Sequence, residues 1–391
     1  MDLLGGLLRI LQVIPYLNPR KGGDVRVCYN LSKSLVSSGH QVTIVTTDQG
    51  FDQGYTEGLR NMGIEVIPFR CLLDLESYLI SPAIKAWASR RLWDYDIVHL
   101  HGYRSYQNRT IAPIAKKQGI PFVIHAHGGV PIAVEKKLLK RGFDFMYGRS
   151  ILRGASALIA FSQEEAKNYV EVGANPLDVK VIYNGFDPDE YSGICEGQAF
   201  KDAYRIEKPY CLFLGRIDET KGLEFLLKGF SRFLEKGNHG VILVMVGPKG
   251  NSWRKTMRLI AELELNDSTK WIDFLDNSAK MEAYAGAELF VTTPNYRSGA
   301  VLTMVEALLC GTPIIVTDEI GEIPRLAGID ECVIRYGDIE GFAQLMERML
   351  SDKEWSRQIA CKGRKYITEN LKWSDVTKRL ADVYENCIRN P

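Results

Sequence analysis

Short runs of Val, Ile and Leu, continuous rather than alternating, recur along this chain and are separated by longer amphipathic stretches. No other feature narrows the fold as far. A strand that is apolar at every position has to be buried on both faces, and a parallel sheet covered by helices on each side provides that burial. The runs at 10–17, 41–47, 64–69, 96–100, 121–125, 157–161 and 179–183 predict one set of strands. Those at 210–214, 241–246, 270–275, 289–293, 313–317 and 332–335 predict a second. Helical patterns fill most of the gaps, so the chain reads as repeated βαβ winding, an α/β protein. The rhythm breaks once, over 184–208, where turn formers accumulate and no clear strand appears. This puts a domain boundary within 188–208, taken as 1–195 and 196–372, with 373–391 left as a terminal helix. Doubly wound sheets collect ligands at the C-terminal ends of their strands, so a ligand crevice is expected where the two domains face each other.

Composition removes several classes of function. With 46% hydrophobic and 25% charged residues the chain resembles an average globular protein, which excludes collagen, low-complexity disorder and a small disulfide scaffold. Lys plus Arg (49) against Asp plus Glu (48) leaves +1, too little for the basic field that bulk nucleic acid requires. The two domains differ mildly, 22 − 19 = +3 for 1–195 and 27 − 29 = −2 for the rest. No apolar run approaches the roughly 18 residues of a membrane span. The apolar residues 1–10 lack the basic leader and small-residue cleavage site of a signal peptide. Eight scattered cysteines without a Cys-x-x-Cys pair suit reduced thiols. A soluble, cytoplasmic, multidomain protein is expected.

Three loops carry the chemistry. Gly22 and Gly23 follow the first strand and open a helical pattern near Asp24, which lets a ligand approach the backbone and favours an anion at the helix start. The loop 215–222 (GRIDETKG) follows the strand 210–214 and holds two cations between glycines. There Arg216 can grip phosphate oxygens with its fork and Lys221 can serve as a point charge, a sensible diphosphate clamp. The stretch 293–313 ends a strand, starts a short helix around 299–303 and stops it at Gly311. Glu306 is the single carboxylate on that apolar helix (LTMVEALLC). Composition alone leaves open whether it anchors a structural network or holds hydroxyls of a ligand.

These segments, in this order, resemble the retaining glycosyltransferases of family four. The likeness runs through GGDVRVCYNLSKSLVSSGHQVTIVTT (22–47), DIVHLHG (96–102), PFVIHAHG (121–128), ASALIAFSQEEA (155–166) and VIYNGFD (181–187). It continues through FLGRIDETKGLEFLLKGF (213–230), VMVGPKG (244–250), ELFVTTP (288–294), EALLCGTPIIVTD (306–318) and WSDVTKRLADVYENCI (373–388). The resemblance implies a GT-B fold of two facing Rossmann-like domains, the N-terminal one for the acceptor and the C-terminal one for the nucleotide sugar. The last helix is implied to cross back onto the N-terminal domain. It further implies that Arg216 and Lys221 bind the donor diphosphate, that His127 contacts the transferred sugar, and that Glu306 holds the nucleotide ribose. Gly247 and Leu275 then lie near the nucleotide, and Gly22 and Gly23 near phosphates and acceptor. Ser298, Gly299, Ala300 and Val301 occupy the donor-sugar loop. The family usually has a glutamate where this chain has Ser298 and Gly-Phe-Gly where it has Gly299, Ala300 and Val301. Serine still offers a hydrogen bond, but it is shorter and uncharged.

The activity so implied moves a sugar from a nucleotide diphosphate sugar, UDP before GDP, to a glycan or lipid-linked acceptor in cell-surface polysaccharide or glycoconjugate synthesis. A glycosyltransferase-like binding subunit impaired through Ser298 is the alternative. No cofactor and no metal are expected: the pairs His99/His101 and His125/His127 sit at strand ends and invite zinc, but no Cys, Asp or Glu partner accompanies them. His99, His101 and His125 are read as satisfied polar residues behind the cleft. Segment 130–156 has six basic and two acidic residues, 6 − 2 = +4, interleaved with apolar ones. It reads either as a solvated surface helix or as a contact with an anionic membrane, placing the protein peripherally on the inner face.

Overall fold

A computed structural model of the chain describes residues 6–75, 78–131, 137–191, 197–238, 240–295 and 302–390. The chain divides into two compact units, Met1–Phe186 with Leu371–Pro391, and Asp187–Asn370. The division therefore falls between Phe186 and Asp187, not between 195 and 196. It comes where the last strand of the first sheet has been left and the chain's returning tail is caught. Phe186 pairs in parallel with Lys372, its N–H donating to the Leu371 carbonyl and its carbonyl accepting from Trp373.

The first unit holds a seven-stranded, wholly parallel sheet. Its strands are β1 (Arg9–Val13), β2 (Gln41–Thr47), β3 (Glu65–Phe69), β6 (Ile97–His101), β7 (Phe122–His125), β8 (Ala157–Ala160) and β9 (Val179–Val181), in the order β3-β2-β1-β6-β7-β8-β9. A small antiparallel hairpin of β4 (Leu73–Leu75) and β5 (Tyr78–Ile80) lies between β3 and β6 in sequence. The expected strand 10–17 ends at Val13 and 179–183 ends at Val181, because the chain turns there toward helices. β6, β7 and β8 are buried at every position, as their uninterrupted apolar character requires. The terminal helix Trp373–Arg389 packs in this unit through buried Val376, Leu380 and Tyr384, and its Thr377 Oγ1 donates to Ser34 Oγ at 2.8 Å.

The second unit repeats the plan with six parallel strands. They are β10 (Tyr210–Leu214), β11 (Ile242–Val246), β12 (Thr269–Ile272), β13 (Leu289–Thr292), β14 (Ile314–Thr317) and β15 (Val333–Ile334), ordered β12-β11-β10-β13-β14-β15. The helix Leu223–Glu235 buries Phe225, Leu226, Leu227, Phe230 and Phe233 against this sheet and its neighbouring helices. Both sheets reverse their winding beside their first strand, between β1 and β6 and between β10 and β13. In an open α/β sheet the loops leaving that switch point form the ligand crevice.

Candidate active site

In the second unit, β10 runs directly into the cationic loop. Asp218 is nearly buried and organises it: Oδ2 accepts from Arg216 Nε at 2.5 Å, and Oδ1 accepts from the Asn251 backbone N–H at 3.0 Å. One edge of the guanidinium is thereby fixed while the Arg216 side chain stays 64% exposed. Lys221 closes the short 3-10 turn Glu219–Lys221 and is half-buried. Burial lowers its pKa, with Asp218 acting to raise it and Arg216 to lower it further, so the three charges form one electrostatic group. Gly222 follows with φ +61, and a Cβ there would lie 1.8 Å from the Thr293 carbonyl oxygen. Only glycine lets this loop touch the loop leaving β13. The two are laced together: Thr293 Oγ1 donates to the carbonyls of Lys221 and Gly222 at 3.3 Å, and Asn295 Nδ2 donates to that of Glu219 at 2.8 Å.

Gly247, just past β11, has φ +144, and a Cβ would come within 2.1 Å of the Gly215 carbonyl oxygen. The structure thus brings Gly247 against the root of the Arg216 loop. Trp271 Nε1 donates to its carbonyl at 2.9 Å. Leu275 is buried in the turn after β12. Glu306 sits on the helix Leu302–Leu309 with its side chain 5% exposed. Lys280 Nζ donates to its Oε1 at 2.9 Å and Tyr284 Oη donates to its Oε2 at 3.0 Å. The carboxylate is therefore part of a buried network within the unit, the first of the two roles left open above. Ser298, Gly299, Ala300 and Val301 lie outside the described residues.

In the first unit, Gly22 precedes and Gly23 begins the helix Gly23–Ser37. Asp24 lies at that helix start, its Oδ2 accepting from Tyr16 Oη at 3.1 Å, and burial raises its pKa. The loop end therefore already carries a carboxyl of its own. At the switch point stands a stack of imidazoles. Gln12 of β1 is in register with His99 of β6, and His101 with His125 of β7. His101 Nε2 bonds Gln12 Oε1 at 2.5 Å and its Nδ1 bonds His127 Nε2 at 2.7 Å, while His99 Nδ1 bonds Tyr384 Oη. His127 adopts φ +52, uncommon for a side chain of its size. Its neighbours are pinned: Ala126 N–H donates to Tyr169 Oη at 2.9 Å and Gly128 N–H to Glu165 Oε1 at 2.6 Å. Glu165 also accepts from Phe161 N–H, and burial pushes its pKa up to about 7 against those two bonds.

All four histidines are held well below their usual pKa by burial first, with neighbouring imidazoles adding to the effect on His99, His101 and His127. They are neutral. The expectation that His99, His101 and His125 are satisfied fails in part: His99 Nε2 and both nitrogens of His125 are buried without a hydrogen-bond partner. Ring nitrogens of these three lie within 4.8 Å of one another. His101 lies nearly parallel to His99, 15° apart with centroids at 4.4 Å, and to His127, 1° apart at 5.0 Å.

Gln12, Glu165, Tyr169, Asp218, Lys280, Tyr284 and Tyr384 were not singled out from sequence. The usable signals were slight: a lone Gln in the apolar run ILQVI, and an Asp between the two cations of the clamp loop.

The segment 130–156 is described only from 137 onward beyond Pro131. It forms the helix Lys137–Phe143, a π-helical turn Asp144–Gly148 and the helix Arg149–Gly154. Leu138, Leu139, Phe145 and Met146 are 61–82% exposed beside exposed Lys137, Arg141, Arg149 and Arg153. Asp144 is instead buried against Arg104, which donates to both its oxygens at 2.6 and 2.8 Å. Among the described residues no helix is long and apolar enough to cross a membrane.

Comparison with known proteins converges on these same halves. Glycosyltransferase Family 4 matches residues 21–190, and Glycosyl transferases group 1 matches 198–366. A D-inositol 3-phosphate glycosyltransferase of Thermobifida fusca is 24% identical over 399 residues, covering 94% of this chain and 89% of its own. Among solved structures, Anabaena HepE in complex with UDP-glucose superposes with a TM-score of 0.78 at 18% identity, over 97% of this chain and all of its own. WaaG, a glycosyltransferase involved in lipopolysaccharide biosynthesis, gives 0.70 at 17% identity over 96% and 99%. With both of its units matched in order and the doubly wound sheets to accompany them, the protein belongs to the family-four, group 1 glycosyltransferases and has the GT-B fold.

Proposed function

We propose that the protein transfers a sugar, with retention, from a nucleotide diphosphate sugar to a glycan or lipid-linked acceptor in cell-surface polysaccharide or glycoconjugate synthesis. The observation that carries this is the loop at the β10/β13 switch point, where Arg216, steadied by Asp218, and Lys221 concentrate two cations. As the anomeric C–O bond breaks, negative charge grows on the β-phosphate, and Arg216 and Lys221 stabilise it. His127 contacts the transferred sugar, Gly247 and Leu275 border the nucleotide, and Glu306 holds the ribose hydroxyls, as the resemblance to the family implies. Ser298 replaces the carboxylate that a double displacement would need, which favours same-face attack with the departing phosphate taking the acceptor's proton. UDP is the first candidate for the nucleotide, supported by the likeness to a protein crystallised with UDP-glucose, and GDP the second.

Transfer is proposed to need no resident metal, on the ground that the clamp's charge is borne by the side chains of Arg216 and Lys221. The exposed apolar and basic face at 137–153 is proposed to rest on an anionic membrane at the inner, cytoplasmic side. No nucleic acid partner is proposed.

Purified protein offered radiolabelled UDP- and GDP-sugars with and without EDTA tests the reading. Transfer that survives chelation is expected; a loss restored by zinc would overturn metal independence. The binding-subunit reading rests on Ser298. If it holds, the wild type shows no transfer from any donor and Ser298→Glu creates some; if the enzyme reading holds, Ser298→Glu lowers the native rate.

A further inference from the structure

The bond pattern around His101 determines more than its own position. With the Gln12 amide oriented so that Oε1 faces His101 and Nε2 is buried without a partner, that oxygen accepts and the hydrogen belongs to the imidazole Nε2. A neutral imidazole has one N–H, which leaves His101 Nδ1 bare. The bond between His101 Nδ1 and His127 Nε2 therefore draws its hydrogen from His127. His127 is then the Nε2–H tautomer, with Nδ1 left as a lone-pair acceptor. These tautomers are those of neutral rings, and burial together with the neighbouring imidazoles lowers the pKa of both.

Gln12 and His101 are completely buried, so water does not compete for either bond. The rings of His101 and His127 are 1° from parallel with centroids 5.0 Å apart. His127 is held in its left-handed backbone conformation by the bonds to Ala126 and Gly128 on either side, which fixes where its side chain leaves the chain.

We propose that His101, held by Gln12, is a positioning residue that fixes His127 as the Nε2–H tautomer, so that His127 accepts a hydrogen bond from a hydroxyl of the transferred sugar rather than donating one. This rests on the reading above that His127 contacts that sugar. It adds a direction to the contact: the site selects donors with a free hydroxyl facing His127, and a deoxy or O-methyl sugar at that position is rejected. A site built to bond a hydroxyl discriminates strongly against its absence because its own polar atom is left unpaired.

Imidazole 15N NMR of the unliganded full-length protein reads the tautomer directly and without turnover. The expected result is His127 protonated at Nε2 with a bare Nδ1; protonation at Nδ1 overturns the proposal. Gln12→Met conserves volume and removes the acceptor. It should convert His127 to a tautomer mixture and cut kcat by about 10-fold or more with donor KM little changed, the scale of lost orienting partners elsewhere. An unchanged His127 spectrum in folded Gln12→Met overturns the relay, and the wild-type spectrum decides the tautomer even if that variant does not fold. Full turnover by His127→Phe would remove the sugar contact itself, a failure of the parent reading that leaves the NMR result to stand separately.

Discussion

Glu306 offers the sharpest separation of structure from function. Its two oxygens engage Lys280 and Tyr284, one helical turn apart on Asn277–Ala285, and its side chain is 5% exposed against 15% for Lys280. Removing one member of such a pair strands the other charge where water barely reaches, which costs about 3–5 kcal/mol. Glu306→Leu and Lys280→Met should each do so, with Glu306→Leu toward the lower end because the Lys280 ammonium it strands keeps some solvent. At roughly 2–4 °C per kcal/mol for a unit of this size, each single change lowers Tm by about 6–20 °C. The double variant strands neither member of this pair. It leaves the Tyr284 hydroxyl without this acceptor, about 1–3 kcal/mol. The two changes should therefore couple by several kcal/mol in a double-mutant cycle measured by urea unfolding.

The same cycle separates the two roles of the carboxylate. If Glu306 also holds ribose hydroxyls, the double variant regains stability without regaining UDP affinity by calorimetry. Additive single effects, or single costs below 1 kcal/mol, would refute the buried-pair argument. Recovery of nucleotide affinity along with stability would remove Glu306 from the ligand site.

Three other outcomes are expected. Arg216→Ala or Lys221→Ala should cut turnover by about 10²-fold or more and weaken nucleotide binding, since each removes charge stabilisation at the leaving group; near-wild-type rates would sink the clamp. The histidine stack should make the first unit acid-labile. The folded pKa values are depressed, that of His125 to about 3, so the unfolded chain binds more protons below pH 6.5 and stability falls as pH falls. From pH 7.5 to 5.5 four such groups cost about 5 kcal/mol, while Glu165, raised to about 7, moves the other way by about 2 kcal/mol. Urea unfolding at the two pH values should show the net loss, and His125→Phe should reduce the slope by one proton; a flat profile refutes it. Finally, the protein should co-sediment with anionic vesicles at low salt and be released as salt rises, at about 1 kcal/mol per basic residue. Lys137→Glu with Arg141→Glu should weaken this, and equal partitioning returns the segment to an ordinary surface helix.

The sheets were legible because burial on both faces leaves a local signature. Each of the thirteen predicted runs overlaps an observed strand. The hairpin β4–β5 was not, since three residues such as Leu-Asp-Leu, all exposed, carry no periodicity to read. The clamp cations could be picked out because they sit between glycines in one short loop. Their support could not: Thr293 is far along the chain, and it meets Gly222 only because β10 and β13 are neighbours. The same holds for Tyr384 on His99 and for Lys280 on Glu306, where polar groups find each other through the winding order and no short segment announces it.

Charge shows how far such local placement overrides composition. By sequence the N-terminal portion is net positive and the rest net negative, which would steer an anionic donor to the wrong half. The switch points reverse that bias. At β10/β13 the loop carries Arg216 and Lys221 with Asp218 between them, while at β1/β6 stand a Gln and four imidazoles whose charged forms burial disfavours. Surface charges farther than about 8–10 Å are screened at physiological salt, but a cation half-buried at a loop root acts at short range and low dielectric. On the proposed reading this divides the work: the cationic switch point takes the diphosphate, and the uncharged one meets hydroxyls, where hydrogen-bond direction rather than charge does the selecting. Moving the cation pair would then change which half binds nucleotide far more than reversing the net charge of either surface.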